Sequence, residues 1–116
     1  MAKNELLPGT VYRMCVHGAY IAGSYAKKLI GEDLEPSDID ILVPLDKWTI
    51  IAPMLPKKAK LNKFGGWRFK EKGIEIDVWP DTVENYLTKC KTKHDGLVVV
   101  VDYINNRYYT SGMLKE

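Results

Sequence analysis

The sequence predicts an α+β fold, a mixed α/β domain whose antiparallel strands gather in the second half of the chain. Three observations carry this. Apolar residues recur every second position at 38–43 and 74–79, helical spacing falls at 10–17 and 24–30, and Lys72-Gly73 joins two strand-like runs as a hairpin. A chain of 116 residues is expected to form a single domain with one core. With 46% hydrophobic and 28% charged residues it has the make-up of a globular protein, not of a disordered tract. No run approaches the roughly 18 apolar residues of a membrane span. No long apolar stretch precedes a small-residue cleavage site either, so a cytoplasmic location and no membrane partner are expected.

Taken in order, Thr10 to His17 reads as a helix, with Pro8 near its start and Gly18 after its end. Ala19-Tyr20-Ile21-Ala22 is a short strand. Gly23 makes a tight turn, and Ser24 to Ile30 continues as a helix closed by Gly31. In the next strand Ile39, Ile41 and Val43 alternate with Asp38, Asp40 and Leu42, which puts both aspartates on the face away from the core. Asp46 is placed to cap a helix running towards Met54, limited by Pro53 and Pro56. Trp67 to Glu71 and Ile74 to Trp79 form the hairpin, with Asp77 sharing a face with Glu75. Asp81 and Glu84 read as a capping pair for a helix through about Lys89. Leu97 to Tyr103 and Arg107 to Thr110 read as strands around Asn105-Asn106, residues that tolerate positive φ.

The net charge of +2 is small but unevenly spread. Residues 32–46 hold Glu32, Asp33, Glu35, Asp38, Asp40 and Asp46 with no basic residue. Residues 57–72 hold Lys57, Lys58, Lys60, Lys63, Arg68, Lys70 and Lys72 against Glu71 alone. The basic segment is either a phosphate-collecting surface or a solvated face. Cys15 and Cys90 lack zinc-like spacing and read as buried thiols. His17 and His94 have no neighbouring partners for a triad or metal cluster. Trp48, Trp67 and Trp79 read as packing residues, with Trp67 the best placed of them for base stacking.

Phosphoryl transfer explains the acidic set. Two cations about 3.5–4 Å apart can activate a hydroxyl and neutralise a leaving pyrophosphate. Magnesium, or manganese, takes hard oxygen ligands. Asp38 and Asp40, two apart on one strand, can reach such a pair, and Asp77 closes the site if its strand lies alongside. Without metal the three carboxylates would repel and raise one another's pKa. Gly23-Ser24 supplies a glycine turn where backbone N–H groups can approach an anion, and Lys27 and Lys28 on the following helix read either as contacts to a triphosphate or acceptor or as solvated surface residues, the latter for at least one of them.

In this order, an apolar strand, Gly23-Ser24, a helix, Ser37-Asp38-Ile39-Asp40-Ile41 and a third acidic strand residue resemble the polymerase β-like nucleotidyltransferase superfamily. Residues 23–41 look like the head domain of bacterial poly(A) polymerases and CCA-adding enzymes. The segments Phe64-Gly65-Gly66-Trp67 and Ile76-Asp77-Val78-Trp79 are similar to stand-alone minimal nucleotidyltransferases. The resemblance implies a palm-like, mainly antiparallel sheet with helices packed on one face. It implies that Asp38, Asp40 and Asp77 are catalytic and metal-binding, and that Gly23, Ser24, Lys27, Gly65 and Gly66 meet the nucleotide. NMP transfer from an NTP to a hydroxyl would follow. The acceptor would be a nucleic-acid end, a protein side chain or a small molecule, with a partner supplying the neck and body domains. A nucleotide-binding regulatory module without turnover, antitoxin-like in kind, and a basic nucleic-acid-binding domain are the alternatives. Lys27-Lys28 replaces the arginine-aspartate pair of the CCA-adding head, so recognition of the incoming sugar is not carried over.

Overall fold

The alternation in residues 38–43 and 74–80 builds the centre of a seven-stranded sheet. The computed structural model describes residues 7–63, 65–93 and 98–111. Their elements run α1 (Gly9–Val16), β1 (Tyr20–Ala22), α2 (Gly23–Leu29), β2 (Asp38–Val43), α3 (Trp48–Ile51), β3 (Lys60–Leu61), β4 (Trp67–Glu71), β5 (Ile74–Pro80), α4 (Val83–Lys93), β6 (Val99–Asp102) and β7 (Arg107–Thr110). The strand order is β3-β4-β5-β2-β1-β6-β7. Among the described strands only β2 and β5 pair in parallel; the neighbours on either side are antiparallel. The fold is therefore the expected mixed, mainly antiparallel α+β arrangement. A parallel pair needs a long crossover. Here residues 44–73 provide it, and on the way they add α3, β3 and β4 to the structure.

The two faces of the sheet are covered differently, and this positions the site. Ile39, Ile41 and Val43 of β2, with Ile76 and Val78 of β5, are fully buried beneath α1, α2 and α3, against Val11, Met14, Leu29 and Ile51. Burial of each such side chain stabilises the fold by about 1.5–3 kcal/mol. The expectation of helices on one face alone is corrected: α4 covers part of the other face, because Leu42, Ala22 and Val100 make an apolar patch there. Leu42 shares a face with the aspartates yet is fully buried, in a second cluster with Ala22, Leu87, Val98 and Val100 that Trp79 and Tyr86 flank. That face thus has an apolar half under α4 and a polar half left open at Asp38 and Asp40.

Hairpins and caps follow local chemistry, with exceptions. Lys72 (φ 55°) and Gly73 (φ 77°) both lie in the left-handed region, as a tight two-residue hairpin requires. The β6–β7 connection is a four-residue turn, 103–106. In it Asn106 takes φ 57°, and Asp102 accepts hydrogen bonds from the Asn105 backbone and side chain. Helix α1 starts one residue earlier than expected, with Pro8 at its N-cap position and no cap from its own segment. Instead the Thr10 backbone N–H and hydroxyl donate to Glu71 at 3.1 and 2.6 Å, across 61 positions of sequence. Asp46 does not cap a helix to Met54: the segment breaks into 3-10 turns at 45–47 and 52–54 around the short α3, because Pro53 cannot continue the helical hydrogen bonding. At α4 the cap is Thr82 rather than Asp81. Thr82 Oγ1 accepts from Asn85 N–H at 3.0 Å, while the buried Asp81 accepts from Thr82 N–H and pairs with Lys89 at 3.0 Å.

Cys15 is buried as expected, its thiol pushed up to about 12, chiefly by desolvation and then by Asp102. The expectations for Phe64, His94 and Leu97, and for the Cys90 side chain, lie outside the described residues. No described helix is long and apolar enough to cross a membrane.

Replacing Glu71 by Ala should lower unfolding free energy by about 1 kcal/mol in urea titration, as should Thr82→Ala, since each removes an N-terminal cap. Glu84→Ala should change it by no more than about 0.5 kcal/mol. Equal losses at Glu71 and Glu84 would contradict the long-range cap.

Candidate active site

Strand pairing brings the three predicted carboxylates together. Asp40 of β2 sits opposite Asp77 of β5, and Asp38 opposite Glu75. Since directly paired residues present their side chains on one face, all four lie on the open half of the sheet. One carboxylate oxygen each from Asp38, Asp40 and Asp77 falls within 4.8 Å of the others. These three form the group of potential metal ligands that converges among the described residues.

Burial and like charge set the electrostatics. The Asp40 carboxyl is pushed up to about 7, first by desolvation, then by the charges of Asp38 and Asp77, with Arg68 acting in the opposite direction. Asp77 is itself buried, with 7% of its surface exposed. Its carboxylate is held by Arg68, whose Nε donates to Oδ1 at 2.7 Å and whose Nη2 donates to Oδ2 at 3.2 Å. Arg68 also lies 3.3 Å from Glu75. Hydrogen bonding to Asp77, above all, pushes the guanidinium pKa still higher. Sequence reading placed Arg68 only in a basic segment. The signal was nonetheless present: a two-residue turn at Lys72-Gly73 pairs Glu71 with Ile74, which sets Arg68 opposite Asp77.

Gly23 is fixed by the same cluster. It follows Ala22, which pairs with Asp40, and it begins α2 at φ +67°. A Cβ at this position would overlap Asp40 Oδ2, so only glycine allows the turn and the carboxylate to meet. Ser24 is exposed beside it, and Lys27, half-buried, lies one turn further along α2.

Gly65 and Gly66 are placed differently. They form the β3–β4 turn, and both spend their N–H groups inside it, Gly65 on the Asn62 carbonyl at 3.3 Å and Gly66 on Asn62 Oδ1 at 3.0 Å. Gly66 lies against Val78 and Trp79, past Asp77 along β5. The structure gives this pair a turn-forming role and does not bring it into the carboxylate cluster. Trp67 precedes Arg68 and faces the other side of the sheet, where it lines a cavity of about 340 Å³ with Trp48, Leu55 and Ala59. That position is on the far side of the sheet from the carboxylates, so Trp67 presents no stacking surface to a base held at them.

The Asp40 shift has a defined sign. A carboxyl with a folded pKa near 7 against 3.8 when free binds more protons folded than unfolded across that window. Its contribution to stability is therefore full below the lower value and is lost as pH rises through about 7. In chelator, the wild-type protein should lose stability between pH 5 and 8. Asp40→Asn should flatten that slope and be more stable than wild type at pH 8, by on the order of 1–3 kcal/mol. Parallel pH profiles for the two proteins would contradict the assignment. Gly23→Ala should cost about 1–3 kcal/mol through the positive φ and displace Asp40. Urea titration reads the first effect, and loss of the Asp40-dependent pH slope reads the second.

Comparison with known families matches residues 10–107 to the nucleotidyltransferase domain. Neither the curated proteins nor the solved structures compared with the chain give a significant match. The family match spans α1 to the start of β7 and so contains the Gly23 turn, the β2 carboxylates and Asp77. A paired-strand acidic cluster beside a glycine turn, within a mixed sheet matched over most of its length, shows that the chain belongs to the nucleotidyltransferase domain family.

Proposed function

We propose that this protein transfers a nucleoside monophosphate from an NTP to a hydroxyl acceptor, releasing pyrophosphate, with magnesium as the working cation and manganese as a substitute. The observation that carries the reading is the convergence of Asp38, Asp40 and Asp77 within 4.8 Å on one face, next to the Gly23 turn. The donor set fits a hard divalent ion: all ligand atoms are carboxylate oxygens, and burial and mutual repulsion leave the cluster short of positive charge.

Asp38 and Asp40 would hold the cation, and Asp77 would complete its ligands. The bound ion supplies neutralisation of the phosphate oxygens and a more acidic acceptor hydroxyl. Gly23 and Ser24, adjoining Asp40, would bind the outer phosphates through backbone N–H groups and the Ser24 hydroxyl. Lys27, on the same helix, would add charge to that end. The acceptor O–H bond breaks, with its proton passing to an Asp77 carboxylate oxygen. A new bond forms to the α-phosphorus, and the α–β bridging P–O bond breaks to free pyrophosphate. The acceptor would be a nucleic-acid end, a protein side chain or a small molecule, with a protein partner supplying the domains that select it.

Incubation with each labelled NTP and magnesium, with and without cell extract, should move label onto an acceptor. Asp38→Asn and Asp40→Asn should each reduce transfer by about 10³-fold, the equivalent of several kcal/mol of charge stabilisation. Chelation should abolish transfer and restored magnesium should recover it. Undiminished transfer by both variants would overturn the reading. Below pH 7 metal affinity should fall by about tenfold per pH unit, because a proton competes for Asp40, and calorimetry in buffers of different ionisation enthalpy should detect the proton released on binding.

A further inference from the structure

Arg68 is the residue of this site whose geometry is not explained by ligation or by packing. It lies on β4, in a cross-sheet row in which Lys60 pairs with Arg68, Arg68 with Asp77, and Asp77 with Asp40. Its guanidinium engages both oxygens of Asp77, at 2.7 and 3.2 Å, so neither oxygen of the third carboxylate is without a cationic donor. Such a two-point grip is specific to the planar guanidinium fork. A divalent cation held by Asp38, Asp40 and Asp77 would face this fixed positive charge across a single carboxylate. The two compete for the same oxygens and repel each other.

The surroundings also provide for release. The Arg68 side chain is 52% exposed, so it can move into solvent without opening the core. Glu75, two residues before Asp77 on the same face, lies 3.3 Å from Nη1 and is 39% exposed. It offers a second carboxylate outside the converging group, towards which Arg68 can shift while remaining paired. Asp40 by contrast is packed against Gly23 and has no comparable freedom.

We propose that Arg68 is a charge latch on Asp77: in the metal-free protein it occupies the third carboxylate, and it leaves Asp77 for Glu75 and solvent when the cation binds. Arg68 is thus a positioning residue that sets metal affinity. It keeps the acidic cluster partly neutralised until the cation arrives, and it then pairs with Glu75 at the edge of the site, in the row that Lys60 continues. This rests on the metal-site reading above but not on nucleotidyl transfer itself.

The test is titration of the full chain with Mn2+ alone, without nucleotide, at pH 8, following free Mn2+ by electron paramagnetic resonance. Arg68→Gln should bind Mn2+ at least fivefold more tightly than wild type. Lys70→Gln, which removes a cation on the same strand and face, should change affinity by less than twofold. Arg68→Lys, which keeps the charge but loses the two-point grip, should fall between wild type and Arg68→Gln, and it serves if Arg68→Gln does not fold. In thermal melts Arg68→Gln should be less stable than wild type in chelator and should recover on adding Mn2+. Mn2+ affinity in Arg68→Gln that is unchanged, weaker, or raised no more than in Lys70→Gln would overturn the latch, because a residue that merely orients Asp77 would weaken binding when lost. The two readings fail separately. Tighter Mn2+ binding by Arg68→Gln in a protein that moves no label from any NTP supports the latch and overturns the transfer reaction.

Discussion

The parallel pairing of β2 with β5 is the constraint on which the rest of the structure depends. It places Asp40 opposite Asp77 and Asp38 opposite Glu75, and so gathers four carboxylates on one face. Because parallel neighbours cannot be joined by a tight turn, the chain must leave β2, form α3 and β3, and return through β4 before β5 can be laid down. The return strand carries Arg68. The connection that makes the pairing possible therefore also supplies the cation that answers it.

Two opposed tendencies meet at this pair. The isoleucines of β2 and the Ile76 and Val78 of β5 are buried against the helices, and this apolar burial holds the strands in register whatever their other faces carry. The same register forces Asp40 and Asp77 together in a partly desolvated position, an arrangement that is unfavourable for ionised carboxylates without a counter-charge. A one-residue slip of β5 would separate the acids but would turn Ile76 and Val78 away from the core. Packing wins, and the electrostatic cost stays local to the open half of the face.

That half-face stays open because α4 covers only the end of the sheet beyond it. Leu42 and Trp79 lie under or beside α4, whereas Asp38, Asp40 and Asp77 lie closer to the Gly23 turn. The Gly23 backbone is held against Asp40 so closely that a side chain there would displace the carboxylate. Turn, strand and cluster therefore form one unit, and the family match over residues 10–107 encloses all of it.

The sequence by itself determined every described strand except the two-residue β3, together with the hairpin at Lys72-Gly73, the turn at Gly23 and the identity of the three carboxylates. Each is written in local signals: two-residue alternation, paired positive-φ positions, and a glycine between strand and helix. Thr82 as the α4 cap and the broken helix around Pro53 were also local, but neighbouring residues compete for such roles, and only the resolved hydrogen bonds choose among them. What tertiary structure alone decided are relations between distant segments: the Glu71 cap on Thr10, the α4 cover over Leu42 and the inward spending of the Gly65 and Gly66 N–H groups. The grip of Arg68 on Asp77 stands between the two, implied by the hairpin register but given meaning only when β2 joins the other side of β5. The physical reason is that alternation and turn chemistry act over a few residues, while which strands become neighbours is settled by burial of the whole sheet.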